Sequence, residues 1–391
     1  MDALARASGV SKETIYRHFD DKQALFRAAM KGVADEFAHD FADIFREDAA
    51  TEIVMARCAR AIYDRAADAQ HPSPNWLAVG TAASFPELAR AVSSDAVDSL
   101  LPLQAFLERL ARERGMADPV PLDTVAQFGA LAAAGLRHLM GAAAWDEAER
   151  ERAARRVAGL FLHGCAADVR GVAGGRGPFR EFTLDPAPPV PPMASHVAHL
   201  MAVARAHFHE RGYRGASLDE IGVAARVGRG TLYRHFGSKK GLFQAVMVQA
   251  AGEIVAEVPL RLSTARPVAD TLQSAAVAIS AAMQGEAGVR LFRTVSAEAK
   301  AMPDVAHAIY DMTRNRLVGP LVDYLRCCAA DGLLTLDEPE WAADQFMILA
   351  TGGNRYLLLD TVPTEAERAD HANLAVSIFL HGYLGAERPE R

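Results

Sequence analysis

A chain of 391 residues with a formal net charge of −7 is long enough for two or three domains with apolar cores. Half of the residues are hydrophobic, yet no apolar run reaches the roughly 18 residues of a membrane-spanning helix, and no signal for export is visible at the amino end. The four cysteines form no C-x-x-C pair. We therefore expect a cytoplasmic protein with reduced thiols, no metal and no cofactor.

The charge is unevenly distributed along the chain. Residues 193–250 hold eight Lys or Arg against three Asp or Glu, about +5, and residues 1–33 hold six against four, about +2. All other residues together therefore carry about −14. Two basic segments within an acidic chain indicate local binding to a polyanion, and exclude a protein that coats nucleic acid along its whole surface.

Two short segments of the chain share most of their residues. Residues 11–19 read S-K-E-T-I-Y-R-H-F, and residues 228–236 read G-R-G-T-L-Y-R-H-F. In each segment two apolar residues lie four apart on one helical face, as Leu232 and Phe236 do, while hydroxyl and imidazole groups lie on other sides. One face of each helix can be buried while the other meets a polar partner.

The repetition extends along the chain. Pro86 and Pro303 lie 217 residues apart, Phe128 and Phe346 lie 218 apart, and the segment F-L-H-G at 161–164 returns 218 residues later. The sequence therefore predicts a tandem repeat of one unit. Apolar residues spaced three and four apart on Ala-rich segments predict an all-α fold, and alternation typical of strands is missing.

The second repeat carries a longer pattern around the shared segment. F-H-E-R-G-Y at 208–213 and S-L-D-E-I at 217–221 precede T-L-Y-R-H-F, and S-K-K-G-L-F at 238–243 follows it. This succession resembles the DNA-binding domain of the TetR (tetracycline-repressor, AcrR-like) family of transcriptional regulators. The resemblance implies about nine helices per complete unit, with a helix-turn-helix head followed by a helical effector-binding and dimerisation body.

Five regions follow from the repeat and the resemblance. We expect heads at 1–33 and 193–252, bodies at 34–170 and 253–391, and a Gly/Pro-rich linker at 171–192. The first head is shorter, because Met1 matches Leu218 and nothing in the first unit corresponds to residues 193–217. Either the natural start lies upstream, which we expect, or the first head is inactive.

Residues near the start of a recognition helix read base edges, and flanking residues hold phosphates. In the second head Arg229 can reach guanine, Gly230 permits close approach, Thr231 and Tyr233 supply hydroxyls, and Ser217 caps the preceding helix in an S-x-x-E box with Glu220. The resemblance places Tyr233, His235 and Lys239 against phosphates. The matching candidates in the first head are Ser11, Lys12, Thr14, Tyr16, His18 and Lys22.

Three differences between the heads bear on their function. Lys12 stands at the position of Arg229 and lacks the two-pronged guanidinium, and Glu13 stands at the position of Gly230. The two heads are therefore expected to prefer different half-sites, and a fused pair would recognise an asymmetric operator. Arg226 stands where the first head has Gly9. If that position needs a positive φ, the arginine costs on the order of 1 kcal/mol.

The large side chains on Ala-rich helices are candidates for an effector pocket in each body. They are Phe85, Phe106, Phe128 and His138 in the first body, and Phe292, Tyr310, Phe346 and Tyr356 in the second. They do not identify the effector.

These observations predict a ligand-responsive transcriptional repressor that binds a double-stranded DNA operator and an unknown small molecule. The bodies can pair within one chain through residues 160–165 and 377–384, or two chains can form a homodimer. An alternative is an interaction protein whose degenerate first head leaves it dependent on a partner for DNA binding. An enzyme is not expected, because G-x-S-x-G, H-E-x-x-H, P-loop and dinucleotide-binding motifs are missing.

Overall fold

The computed structural model describes residues 1–46, 48–68, 77–79, 82, 85–116, 119–167, 176–184, 195–358 and 361–385. These residues form helices joined by short connections, with only two three-residue strands. The predicted all-α fold is confirmed.

The first half of the chain contains eight of the helices whose bounds are defined in the described residues. They are α1 (Asp2–Ser8), α2 (Lys12–His18), α3 (Lys22–Ile44), α4 (Thr51–Ala67), α5 (Pro86–Asp98), α6 (Leu101–Glu113), α7 (Leu122–Ala132) and α8 (Glu147–His163). Polar caps set several helix starts. The Ser11 hydroxyl accepts from the Thr14 N–H at the start of α2, and Asp146 and Glu149 form a capping box at the start of α8.

The second half contains nine α-helices within residues 195–358 and 361–385, the number that the resemblance implied. They are α9 (Ser195–Gly215), α10 (Leu218–Ala224), α11 (Arg229–Phe236), α12 (Lys239–Ala256), α13 (Val268–Gln284), α14 (Glu286–Glu298), α15 (Pro303–Ala330), α16 (Pro339–Thr351) and α17 (Glu365–Gly385). A 3₁₀ turn, Arg355–Leu358, follows α16. Both expected boundaries between head and body, after residues 33 and 252, fall inside a continuous helix, α3 or α12.

The segment between the halves is partly structured. Strand β1 (Glu181–Thr183) pairs antiparallel with β2 (Arg261–Ser263), and the Phe182 ring packs edge-on against Tyr324 at 6.2 Å. The expectation of no strand was therefore wrong at these residues. Three residues are too few for an alternating pattern to be recognised in a sequence. Within the predicted linker, residues 171–175 and 185–192 lie outside the described residues.

The two halves pack together along α8 and α17. The N–H of Cys165 donates to the carbonyl of Phe379 at 3.0 Å, and the Ala166 N–H donates to Leu380 at 2.8 Å. Gly164 and Gly382, which lie 218 residues apart, both have positive φ and sit so close that a Cβ on either would overlap the other's backbone. The segments expected to pair within one chain, 160–165 and 377–384, are therefore in contact.

A second contact between the halves links the ends of α7 and α16. Gly135 lies against the Ile348 side chain, and Gly353 lies against Ala130. Gly353 lies 218 residues after Gly135, and Ile348 lies 218 residues after Ala130. The two contacts therefore repeat each other. Such reciprocal contacts are what a twofold axis produces in a symmetric dimer.

Candidate nucleic-acid interface

The second head packs α9, α10, α11 and the start of α12 around an aromatic cluster. The ring of Phe208 on α9 meets that of Phe243 on α12 edge to face at 5.1 Å, and Tyr213 packs 5.2 Å from Phe243. Ile221 on α10 and Leu232 on α11 are also buried. Their burial fixes α11 against the rest of the head, as the apolar face predicted from its sequence requires.

The other sides of α11 carry the residues predicted to contact DNA. Arg229, Gly230, Tyr233 and His235 are exposed, and Thr231 is half-buried. Gly228 precedes the helix in an extended conformation, and no side chain caps this end of the helix. The helix therefore presents a cationic, hydroxyl-bearing surface without large apolar groups other than the Tyr233 ring.

Arg229 is held loosely by two neighbours. Its guanidinium lies 5.8 Å from the centre of the Tyr233 ring, and its Nη1 lies 3.6 Å from a carboxylate oxygen of Asp219. All three side chains are on the surface, where an ion pair contributes little free energy. The arginine can therefore exchange Asp219 for a base edge or a phosphate at small cost.

Lys239 occupies a different position from the exposed residues of α11. It is half-buried, its Nζ lies 4.7 Å above the Tyr213 ring, and it donates to the Arg214 carbonyl at 3.4 Å. Lys240, beside it, pairs with Asp304 of the body at 2.8 Å. The two lysines thus lie at the junction of head and body as well as near the predicted phosphate-binding surface.

A buried carboxylate lies at the same junction. Only 8% of Glu298 is exposed, and burial raises its pKa, while the positive charges of Arg214 and Lys239 oppose that rise. The Arg214 Nε lies 3.9 Å from this carboxylate. Basic residues of the head therefore face acidic residues of the body, which links the position of the head to that of α14.

The predicted S-x-x-E capping box is only half formed. The Ser217 hydroxyl accepts from the Glu220 N–H at 3.5 Å, but the Glu220 carboxylate forms an ion pair with Arg211 instead of returning to Ser217. The box prediction was wrong because a cation from α9 competes for the glutamate. Arg226 does adopt a positive φ, 56°, at the place where Gly9 has 68°.

The first head presents matching groups on a less covered framework. Ser11, Lys12, Tyr16, His18 and Lys22 are exposed and Thr14 is half-buried, with 46% of Tyr16 exposed against 43% of Tyr233. Neither α1 nor α2 contains a buried residue. Lys12 forms an ion pair with Asp2 at 3.1 Å. The polar surface is thus similar in both heads, whereas the burial behind it differs.

The structure places the effector-pocket candidates in different surroundings. In the second body Phe292, Tyr310 and Tyr356 line one cavity of about 70 Å³, while Phe346 is buried against Phe379. In the first body a cavity of about 130 Å³ is lined by none of the four predicted residues.

Each of those four residues has other contacts or is exposed. Phe128 packs against Phe161, His138 against Tyr63 and Phe106 against Phe45, and 44% of Phe85 is exposed. The first cavity is instead lined mainly by small residues. Choosing candidates by the size of their side chains excludes such residues. A run of Gly and Ala on a buried helix would have indicated them.

Other kinds of site are not evident in the described residues. They contain no group of three His, Cys, Asp or Glu side chains suited to hold a metal ion. None of their helices is both long and apolar enough to cross a bilayer.

Comparisons with known proteins identify relatives of both heads and of the second body. The model of the amino-terminal domain of the bacterial regulatory proteins of the tetR family matches residues 1–29 and again residues 200–246. The model of the AefR-like transcriptional repressor carboxy-terminal domain matches residues 270–385. The chain is also 38% identical over 65 residues to the HTH-type transcriptional activator FasR of Mycolicibacterium smegmatis. That match spans 17% of this chain and 30% of FasR.

The solved structures that match this chain each cover about half of it. The flavonoid-responsive regulator FrrA is 24% identical, with a TM-score of 0.42, over 47% of this chain and 95% of its own. A TetR family regulator from Pseudomonas syringae pv. tomato is 23% identical, with a TM-score of 0.39, over 47% of this chain and 94% of its own. Because the family's amino-terminal model matches both heads and a carboxy-terminal model of the same family matches most of the second body, the chain belongs to the TetR family of transcriptional regulators.

Proposed function

We propose that this protein is a ligand-responsive repressor that binds duplex DNA through α11 and, in the first head, through α2. The observation that carries the proposal is the two-sided character of α11. Its apolar side is anchored by the buried Leu232, while Arg229, Tyr233 and His235 are exposed on a basic head. A helix of this kind fits the major groove, where side chains near its amino end reach base edges.

The residues of α11 have separate roles in this proposal. Arg229 reads guanine with two hydrogen bonds, and Gly230 lets the backbone approach the groove. Tyr233, His235 and Lys239 bind phosphates, which position the helix without reading sequence. Ser217 caps α10, whose amino end lies toward the phosphate backbone of the DNA. In the first head Ser11, Thr14, Tyr16, His18 and Lys22 take the phosphate contacts, and Lys12 takes the place of Arg229.

A single chain can supply both heads of the usual pair. The reciprocal contacts of Gly164 with Gly382, and of Gly135 and Gly353 with their neighbours, support an intrachain pseudo-dimer of two duplicated units. Two recognition helices that bind one face of DNA must lie about 34 Å apart, one helical turn. Since Lys12 and Glu13 replace Arg229 and Gly230, the two half-sites should differ, and the operator should be asymmetric.

Repression would be relieved by an effector in a body. A ligand that binds better to one arrangement of the halves shifts the population toward it, and a change in head spacing weakens operator binding. Basic residues of the head that contact the body, such as Lys240 with Asp304, provide a path for this change. The sign of regulation is tested by a reporter under the protein's operator, with and without the protein.

A second function is favoured by one observation. Because no residue of α1 or α2 is buried, the first head could be inactive, and the protein could then bind DNA only together with a partner. Under that reading the purified protein would protect one half-site or none.

Footprinting of the purified protein on the DNA upstream of its own gene distinguishes these readings. The proposed regulator protects an asymmetric stretch covering two half-sites, with an affinity that falls steeply with salt. Light scattering should show one chain per operator. Tyr233→Phe and Lys239→Ala should weaken binding to every sequence alike. Protection of a single half-site, or no protection at any salt concentration, contradicts the two-headed regulator and supports the partner-dependent reading.

A further inference from the structure

The two bodies contain cavities at matching positions, and these cavities differ in size. The first cavity is about 130 Å³ and the second about 70 Å³. Helix α7 forms one wall of the first, and α16, which lies 218 residues later, forms one wall of the second. Gly135 lines both cavities, so they lie on either side of the contact between the halves.

Substitutions at matching positions account for the difference in size. The wall of the first cavity contains Gly129, Ala130 and Ala133, where the second body has Met347, Ile348 and Thr351. The larger side chains take up space in the second cavity that is empty in the first. A change of one methylene group is enough to alter the packing of a protein interior. Three larger side chains therefore reduce the volume of the second cavity substantially.

The lining of the second cavity also contains an ion pair. Asp344 stands at the position of Ala126 in the first body, and its carboxylate pairs with Arg314. The buried hydroxyl of Tyr356 has no hydrogen-bond partner among the described residues. A space of this size, with an ion pair and an unpartnered hydroxyl in its lining, suits a few water molecules rather than an organic ligand.

The first cavity differs from the second in the charge of its lining. Its lining is mostly apolar and includes no acidic side chain, and its polar groups are Arg65, Ser99, Asn354 and Arg355. Both arginines are half-buried, and Nη1 of Arg355 lies 3.2 Å from the Asp123 carboxylate. An apolar cavity of roughly 150 Å³ holds a benzene molecule. The space therefore suits a ring of that size with a negatively charged group facing the guanidinium groups.

Of these two cavities, only the first touches a helix that carries a head. Val33, Ala34 and Phe37 of α3 line it, and α3 begins immediately after the recognition helix of the first head. No residue of the equivalent helix, α12, is among those that line the second cavity. The first cavity is also closed by Asn354 and Arg355 from the other half. A ligand there would contact a head-bearing helix and both halves at once.

We propose that the chain binds one effector, in the first cavity alone, and that this effector is a compact aromatic carboxylate. The second body is a structural counterpart, and its cavity is narrowed by Met347, Ile348, Thr351 and the Arg314–Asp344 pair. The regulatory consequence rests on the function proposed above, because it requires that the first head bind DNA. The binding itself does not.

Isothermal titration calorimetry of the whole chain with benzoate tests the binding. We expect one site per chain. Ala133→Leu should weaken benzoate binding at least tenfold, and the matched variant Thr351→Leu, at the equivalent position of the second body, should change it less than twofold. Circular dichroism and the unfolding midpoint of each variant identify any that fails to fold, and Ala126→Leu then replaces Ala133→Leu as the filling variant.

A second comparison tests the charge. Arg355→Met should weaken benzoate at least fivefold while leaving benzyl alcohol within twofold, because the alcohol has no carboxylate to pair. Two sites per chain, equal loss in Thr351→Leu and Ala133→Leu, or no heat with either probe would overturn the proposal. These titrations contain no DNA, so their failure leaves the operator footprint untouched, whereas benzoate binding without any footprint would contradict the proposed function instead.

Discussion

The two heads display similar polar surfaces but are supported very differently. Tyr16 and Tyr233 are exposed to nearly the same extent, and both recognition helices begin after an extended residue. Behind α11, however, α9 contributes five buried residues, while α1 and α2 have none. The polar surface of each head is therefore encoded within a short segment, whereas the rigidity with which it is held depends on a helix elsewhere in the sequence.

The comparison predicts a large difference in local stability. Leu232→Ala should lower the stability of the second head by about 2–4 kcal/mol, because it empties a buried site. Ile15→Ala, at the matching position, should cost less than about 1 kcal/mol, because Ile15 is half-buried in a head without a buried core residue in α1 or α2. Native-state hydrogen exchange of amides in α11 and α2 measures both. Equal losses would show that the heads are equally well packed.

The heads should also differ in how strongly they read bases. Arg229→Ala should reduce discrimination at one base pair of its half-site by about 1–3 kcal/mol. Lys12→Ala should cost less in the other half-site, because a lysine forms a single-point contact and Lys12 is paired with Asp2. Affinities for operators with single base-pair changes provide the measurement. An Arg229→Ala protein with unaltered base preference would falsify the reading role of this residue.

Acid should loosen the second head at its junction with the body. His209 is hydrogen-bonded to the Thr294 hydroxyl at 2.9 Å, and burial, with Arg205 and Arg290 nearby, lowers its pKa to about 4. The unfolded state takes up a proton below about pH 6.5, which the folded state resists. Stability should therefore be complete above pH 6.5 and fall as the pH approaches 4, by on the order of 1–2 kcal/mol.

His209→Gln should reduce this pH dependence, measured as the urea midpoint between pH 7 and pH 4.5, without abolishing it, because burial also lowers the pKa values of His138 and His371. The exposed His39→Gln serves as a control and should leave the slope unchanged. A slope as steep in His209→Gln as in the unaltered protein would assign the acid sensitivity to other groups.

The smallest expected effect concerns the turn before the recognition helix. Arg226→Gly should stabilise the second head by about 0.5–1 kcal/mol, because φ is 56° there and a side chain is disfavoured in that region. Gly9→Ala should destabilise the first head by a similar amount. A Cβ at Gly9 has nothing within 4 Å, so the cost would come from the backbone alone. Hydrogen exchange of the two turns would reveal any reversal of these signs.

The sequence predicted the helical fold and the recognition surface, because both depend on local patterns. The spacing of four between Leu232 and Phe236 identified the inward face of α11, and the hydroxyl and cationic residues were found on its other sides. It did not predict the Arg211–Glu220 pair, which displaces half of the capping box, or the strand at residues 181–183. Both depend on which residues of distant segments come together, and no local pattern records that.

The cavities illustrate the same division. Large aromatic residues were expected to line both of them, and three of four do so in the second body, whereas in the first they are buried elsewhere or exposed. The sequence by itself determined which helices form and which side chains they carry, because helix formation and amphipathicity are local. Only the packing of α7 against the other half decided where space was left over, because an empty volume is defined by residues that are far apart in the chain.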